Sequence, residues 1–128
     1  MDREAMITLV DNLYAASAAG EWDRVATLIT DDFRVVEPDC LPLAGDYVGV
    51  EGLREVFGKL TSLCDIAGID RLATATDVGL VICLIRIRFA DPELEPAELC
   101  ELFRIRDGKC CEIKPYYFDH LALSRASR

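Results

Sequence analysis

Leu99-Cys100-Glu101-Leu102-Phe103-Arg104-Ile105-Arg106-Asp107-Gly108-Lys109-Cys110-Cys111-Glu112-Ile113-Lys114-Pro115-Tyr116-Tyr117 is the stretch that decides the fold class. Two alternating runs meet at Asp107-Gly108, a dipeptide that suits the positive backbone angles of a two-residue hairpin turn. Side chains alternate across a strand, so Leu99, Glu101, Phe103 and Ile105 share one face, and Cys100, Leu102, Arg104 and Arg106 the other. The arginines mark the second set as outward. Beyond the turn, Cys111, Ile113, Pro115 and Tyr117 fall together opposite Cys110, Glu112, Lys114 and Tyr116, and the charges again mark the outside.

Working outward, residues 80–89 send Val81, Cys83, Ile85, Ile87 and Phe89 inward and Arg86 and Arg88 outward. A further strand covers residues 64–75, and Asp77-Val78-Gly79 and Asp91-Pro92 supply turns. The first half reads differently. Residues 3–19 place Met6, Ile7, Val10, Leu13 and Tyr14 at helical spacing, and Gly20 is a natural stop. A short helix over 23–29 packs back on the first, with Trp22 at its start. A strand spans 33–38, a loop rich in Pro, Gly and Asp spans 39–49, and a third helix spans 50–63 through Leu53, Val56, Phe57 and Leu60. Helices followed by an antiparallel meander define an α+β domain occupying residues 1–128.

Composition narrows the function classes. The 128 residues are 52% hydrophobic and 29% charged, enough for one core. A net charge of −9 repels polyanions, so nucleic acid is not expected as a partner. The longest apolar run, 78–85, is interrupted by Gly79 and falls far short of the roughly 20 residues a membrane span needs. The amino terminus, Met1-Asp2-Arg3-Glu4, lacks the basic and apolar regions of a signal peptide, and a cytoplasmic location is expected. Six cysteines without a C-x-x-C pair read as reduced, mostly buried thiols. His120 is the only histidine and has no second ligand near it, so no metal site is expected.

Against this apolar inner face two acids stand out. Glu37 shares a face with Phe33 and Val35, and Glu101 lies between Leu99 and Phe103. A buried isolated carboxylate is costly, so each acid reaches water at a strand end, pairs with an arginine, or lines a pocket. In the pocket reading, desolvation raises the carboxyl pKa toward the range useful for proton transfer. An ionised Glu37 could then take a proton from carbon beside a carbonyl, while a protonated Glu101 donates to the oxygen on which charge develops. Such enolisation needs no cofactor.

The succession Gly20-Glu21-Trp22-Asp23, Thr30-Asp31-Asp32-Phe33, Ala44-Gly45-Asp46-Tyr47-Val48-Gly49 and Phe103-Arg104-Ile105-Arg106-Asp107-Gly108-Lys109 resembles the NTF2-like superfamily, and within it the SnoaL-like and ketosteroid isomerase-like branch. The resemblance covers nearly the whole chain. It implies a cone in which a strongly bent antiparallel sheet wraps around helices and encloses a pocket. It also implies membership of a group that includes isomerases, polyketide cyclases, scytalone dehydratase, limonene epoxide hydrolase and non-catalytic binding domains. Matched to the isomerase pattern, Glu37 takes the place of the general base and Glu101 that of the protonated acid. The isomerase's oxyanion tyrosine falls at Leu13, and Tyr14 lies about 100° further round the helix, in the apolar stripe. Asp119, next to His120, resembles the acid/base aspartate of the polyketide cyclases, or else belongs to a solvated terminus. The epoxide hydrolases require an inward arginine between two aspartates, whereas parity turns Arg86, Arg88, Arg104 and Arg106 outward.

The reading that results is a small-molecule enzyme of isomerase or cyclase type acting on an apolar carbonyl compound, with Glu37, Glu101 and Asp119 as its catalytic candidates. Tyr14, Trp22, Phe33, Tyr47, Phe57, Phe103 and Tyr117 are candidates to hold a ring-containing ligand or to form ordinary core. The alternative is a binding module that returns its hydrophobic ligand unaltered. Outward Val36, Leu84, Leu102 and Tyr116 suggest a homodimer through the sheets.

Overall fold

The computed structural model describes all 128 residues. Helix α1 (Arg3–Ala18) begins at Asp2, whose side chain accepts from the Ala5 N–H at 2.8 Å, satisfying one of the free donors of the first turn. It is followed by α2 (Trp22–Leu28), β1 (Ile29–Glu37), β2 (Gly45–Val48), α3 (Gly49–Leu63), β3 (Ile66–Asp77), β4 (Leu80–Phe89), β5 (Ala97–Arg106), β6 (Lys109–Tyr117) and α4 (Ala122–Ala126). No helix is long and apolar enough to cross a membrane.

The strands form one open six-stranded sheet in the order β2-β1-β6-β5-β4-β3. Every pairing is antiparallel except β1 with β6, which is parallel. The purely antiparallel sheet expected from the sequence is corrected at that seam. The four later strands follow one another as hairpins, and β1, made before α3, returns beside the last of them. The hairpin turn between β5 and β6 carries Asp107 at φ 54° and Gly108 at φ 76°, the left-handed pair that this dipeptide tolerates.

Extra residues bend the sheet. Leu72 is inserted in β3 between Arg71, which pairs with Ile85, and Ala73, which pairs with Leu84. Cys111 is inserted in β6 between Cys110, opposite Ile105, and Glu112, opposite Arg104. Such bulges increase local twist and bending and curl the sheet around α1 and α3. The second bulge also corrects one parity assignment. Cys110, expected outside, is completely buried, because the inserted residue reverses the alternation below it.

Two further departures concern short elements. The expected loop 39–49 contains β2, whose four residues bury only Tyr47 and are too few to display alternation. Helix α4, five residues long, follows the last strand and buries Ala122 and Leu123. Elsewhere the core is the one parity describes: Val81, Cys83, Ile85 and Ile87 of β4, Leu99 and Phe103 of β5, and Phe33 and Val35 of β1, covered by Val10 and Leu13 of α1. All six cysteines are free. On the convex face Val36, Leu84 and Leu102 are half-buried, Tyr116 is exposed, and Arg34 and Arg104 both pair with Glu112.

Candidate functional site

Strand register sets the site. Cys83 on β4 pairs with Glu101 on β5, and Glu101 pairs with Pro115 on β6. Val35 of β1 runs parallel beside Ile113, so Glu37, two residues on, lies level with Pro115. One row across the concave face therefore reads Glu37, Pro115, Glu101, Cys83. The two glutamates flank Pro115 from adjacent strands, their Cα atoms about 10 Å apart at ordinary strand spacing. The neighbouring row reads Tyr117, Leu99, Ile85, Arg71.

Above these rows, α1 and α3 leave a cavity of about 360 Å³. Sixteen of its 21 lining residues are hydrophobic, so its chemistry rests on the charged members Glu37, Arg71 and Glu101 and on two tyrosines, Tyr14 and Tyr117. Leu13, Tyr14 and Ser17 descend from α1, and Leu53, Val56, Phe57 and Leu60 from α3. Ala18, Ile69 and Arg71 are the exposed members of the wall, which places the mouth between the end of α1 and the edge strand β3.

The two acids have different surroundings. The Tyr14 hydroxyl donates to Glu101 Oε1 at 2.7 Å. Burial pushes the Glu101 carboxyl up, against the opposing effect of that hydrogen bond. With Oε1 accepting from Tyr14, a neutral carboxyl carries its proton on Oε2. Glu37 is only 8% exposed, and its Oε2 is the one buried side-chain oxygen or nitrogen without a hydrogen-bond partner. Burial first, and the charge of Glu101 second, raise its pKa to about 7. A group poised there exchanges protons at neutral pH with little bias either way. The Tyr117 phenol is also pushed up, by burial and then by the fields of Glu37 and Glu101, and its hydroxyl makes no hydrogen bond within the protein.

Of the residues singled out in the sequence, Glu37, Glu101, Tyr14, Phe57, Phe103 and Tyr117 meet at this cavity. Tyr14, a candidate either to hold a ligand or to form core, lines the wall together with Leu13, because a concave sheet receives a wide arc of α1. Its ring lies edge-on to Phe103 at 5.4 Å. The other four lie elsewhere. Phe33 is fully buried in packed core. Trp22 stands behind the wall, edge-on to Phe57 at 6.2 Å. Tyr47 donates to the Leu43 carbonyl at 2.7 Å, which ties down the loop before β2 and turns its hydroxyl away from the cavity. Asp119 accepts from the Leu121 N–H at 2.9 Å and pairs with Arg125, so it braces the turn that leads into α4 and has no place in the cavity wall. These two contacts hold its carboxyl below the ordinary range, where it is a poor acid or base at neutral pH.

Arg71 was missed. Parity could have found it: Asp70 faces outward to Arg88, so its neighbours Ile69 and Arg71 must face inward. Its guanidinium pairs with Asp11 of α1 and lies 5.2 Å from the centre of the Tyr14 ring. Arg86, Arg88, Arg104 and Arg106 are absent from the cavity wall, as expected.

A family model described as a SnoaL-like domain matches residues 10–113. No curated protein matches the chain. Among solved structures, an NTF2-like protein from Burkholderia xenovorans LB400 superposes with a TM-score of 0.83 at 21% identity, covering 100% of this chain and 99% of that one. Bal32a, from a soil-derived mobile gene cassette, gives 0.80 at 21% identity and 98% coverage of both chains. TerC, co-crystallised with polyporic acid, gives 0.75 at 15% identity, covering 95% of this chain and 97% of that one. At these identities the likeness is one of fold.

Proposed function

The chain belongs to the SnoaL-like domain family, and from that premise we propose that its cavity binds a largely apolar carbonyl compound and moves a proton on it without a cofactor, as isomerases and cyclases do. The observation that carries this reading is the unpartnered, buried Glu37 Oε2 in a cavity whose other acid, Glu101, is held by Tyr14. An unsatisfied buried oxygen costs stability unless a ligand completes it, and such costs collect at working sites.

In the proposed step, ionised Glu37 takes a proton from the carbon beside the carbonyl. The electron pair moves onto oxygen, where neutral Glu101 and the Tyr117 hydroxyl donate hydrogen bonds to the growing charge. Glu37 then returns the proton to another carbon, giving an isomer, or the enolate carbon attacks a second carbonyl, whose oxygen takes the proton back from Glu37 as the ring closes. Neither route needs an oxidant. TerC, which shares this fold, was co-crystallised with polyporic acid, and that supports a ring-bearing ligand here.

The test is exchange of α-hydrogens for deuterium in a panel of cyclic ketones, followed by NMR. Glu37→Gln keeps the shape and removes the base, and the exchange rate should fall by about 10²-fold or more. The wild-type rate should rise as pH passes through about 7, where Glu37 ionises. Exchange that proceeds undiminished in E37Q rejects Glu37 as the base. Ketones that bind but never exchange would make the cavity that of a carrier.

A further inference from the structure

We infer that Arg71 is an anion-recognising residue at the cavity mouth, so that the ligand is an apolar ring compound bearing a carboxylate or similar anionic group at the end remote from Glu101. The inference rests on the cavity being the ligand site and adds the chemistry of the ligand's second end.

Arg71 is the only cation on a wall that is otherwise apolar or acidic. It sits on the edge strand β3, with a third of its side chain exposed, where the cavity meets solvent. One nitrogen is occupied by Asp11, and the guanidinium also lies within hydrogen-bonding reach of the Cys83 thiol. A guanidinium presents five N–H donors in a planar fork, so donors remain beyond those two contacts to take a carboxylate.

Tyr14 fixes the spacing. Its hydroxyl bonds Glu101 at 2.7 Å while its ring carries the guanidinium 5.2 Å from its centre. The reacting end and the anion-binding end are thus one aromatic side chain apart, a span that a two-ring molecule bridges. Stacking on the ring and pairing with Asp11 hold the guanidinium in place before the ligand arrives, which lowers the entropy lost on binding. Asp11 also competes: its negative charge weakens the attraction for an anion, so removing that charge should tighten anion binding.

The experiment compares naphthalene-2-carboxylate with its methyl ester, two probes of nearly equal size, by calorimetric titration at pH 8. At that pH Glu37, with its pKa of about 7, is ionised and disfavours an anion beside it, so any preference for the carboxylate comes from the other end of the cavity. The wild-type protein should bind the carboxylate about tenfold more tightly than the ester, the scale of one charge-assisted contact. Arg71→Gln should bring the two within about twofold, Asp11→Asn should strengthen carboxylate binding alone, and Glu37→Gln should leave the preference in place. Because Arg71 and Asp11 are both partly exposed, these variants should fold. Equal binding of the two probes by the wild-type protein overturns the role of Arg71 while sparing the cavity as a ligand site. Binding of neither probe overturns both.

Discussion

Glu37 should make the stability of this protein fall as pH rises. The folded protein holds the Glu37 proton up to about 7, whereas an ordinary glutamate releases it near 4.5. Between those values the folded state binds more protons than the unfolded state, so the carboxyl's contribution is fully present below 4.5 and is lost as pH passes through about 7. At about 1.4 kcal/mol for each tenfold change in proton affinity, the full loss is about 3.5 kcal/mol, of which about 2.5 kcal/mol falls between pH 5 and pH 8. Replacement by glutamine removes the ionisation and keeps the volume. In urea, the midpoint of the wild-type protein should therefore drop relative to that of Glu37→Gln by about 1 M between pH 5 and pH 8. Asp32, Asp70 and Asp119, whose carboxyls contact arginines, are held below 3.8 and stay ionised throughout this window, so they do not obscure it. Glu101 is present in both proteins, and its charge, the smaller cause of the Glu37 shift, is part of the difference measured. A stability difference between the two proteins that is the same at pH 5 and pH 8 would refute the claim that Glu37 is buried without a partner.

The remaining predictions concern the supports of the site. A Cβ on Gly52 would come within 2.4 Å of the Tyr47 carbonyl carbon, so Gly52→Ala should destabilise by more than about 2 kcal/mol in thermal or urea unfolding. In the same helix Gly58 meets nothing within 4 Å, and Gly58→Ala should stabilise by about 0.5–1 kcal/mol. Tyr14→Phe should cost about 1 kcal/mol for the lost bond to Glu101 and raise the Glu101 carboxyl still further, visible as a later titration of its carboxyl carbon by NMR. Asp119→Ala should speed amide exchange in α4 and leave ligand binding and deuterium exchange of ketones unchanged; a loss of exchange activity would return Asp119 to the site.

Alternation carried most of the fold because it is a local property of the strands. Residues 80–89 show it without interruption, and the charges on Arg86 and Arg88 declare which face is wet. It failed where a single residue was inserted. Nothing in Lys109-Cys110-Cys111-Glu112 announces that Cys111 bulges, since the bulge is settled by which strand lies opposite, and the burial of Cys110 follows from the pairing alone. Strand β2 and the parallel β1–β6 seam are likewise tertiary facts: four residues show no period, and the direction of a neighbour is not written in either strand. Within the site, Glu37 and Glu101 were legible because an acid on an apolar face has to be accounted for. Tyr14 was legible only as one of two alternatives, because a tyrosine in an apolar helical stripe is equally at home in core, and only the curvature of the sheet brings its hydroxyl to Glu101.

That hydrogen bond is also what separates the roles of two acids that begin alike. Both are glutamates in one row, both are desolvated, and Glu37 is raised further by the charge of Glu101, so they cannot both ionise cheaply. Left symmetrical, the pair would share one proton with no fixed direction. Tyr14 breaks the symmetry by donating to Glu101 Oε1 and fixing that carboxyl's orientation, and the same bond opposes the upward push of burial on Glu101, which nothing does for Glu37. Glu37, at the end of β1 and without any donor, keeps its electron pair available. The anchored acid is suited to stabilising charge and the unanchored one to moving protons, a division that a stripe position on α1 imposes on the far strands of the sheet.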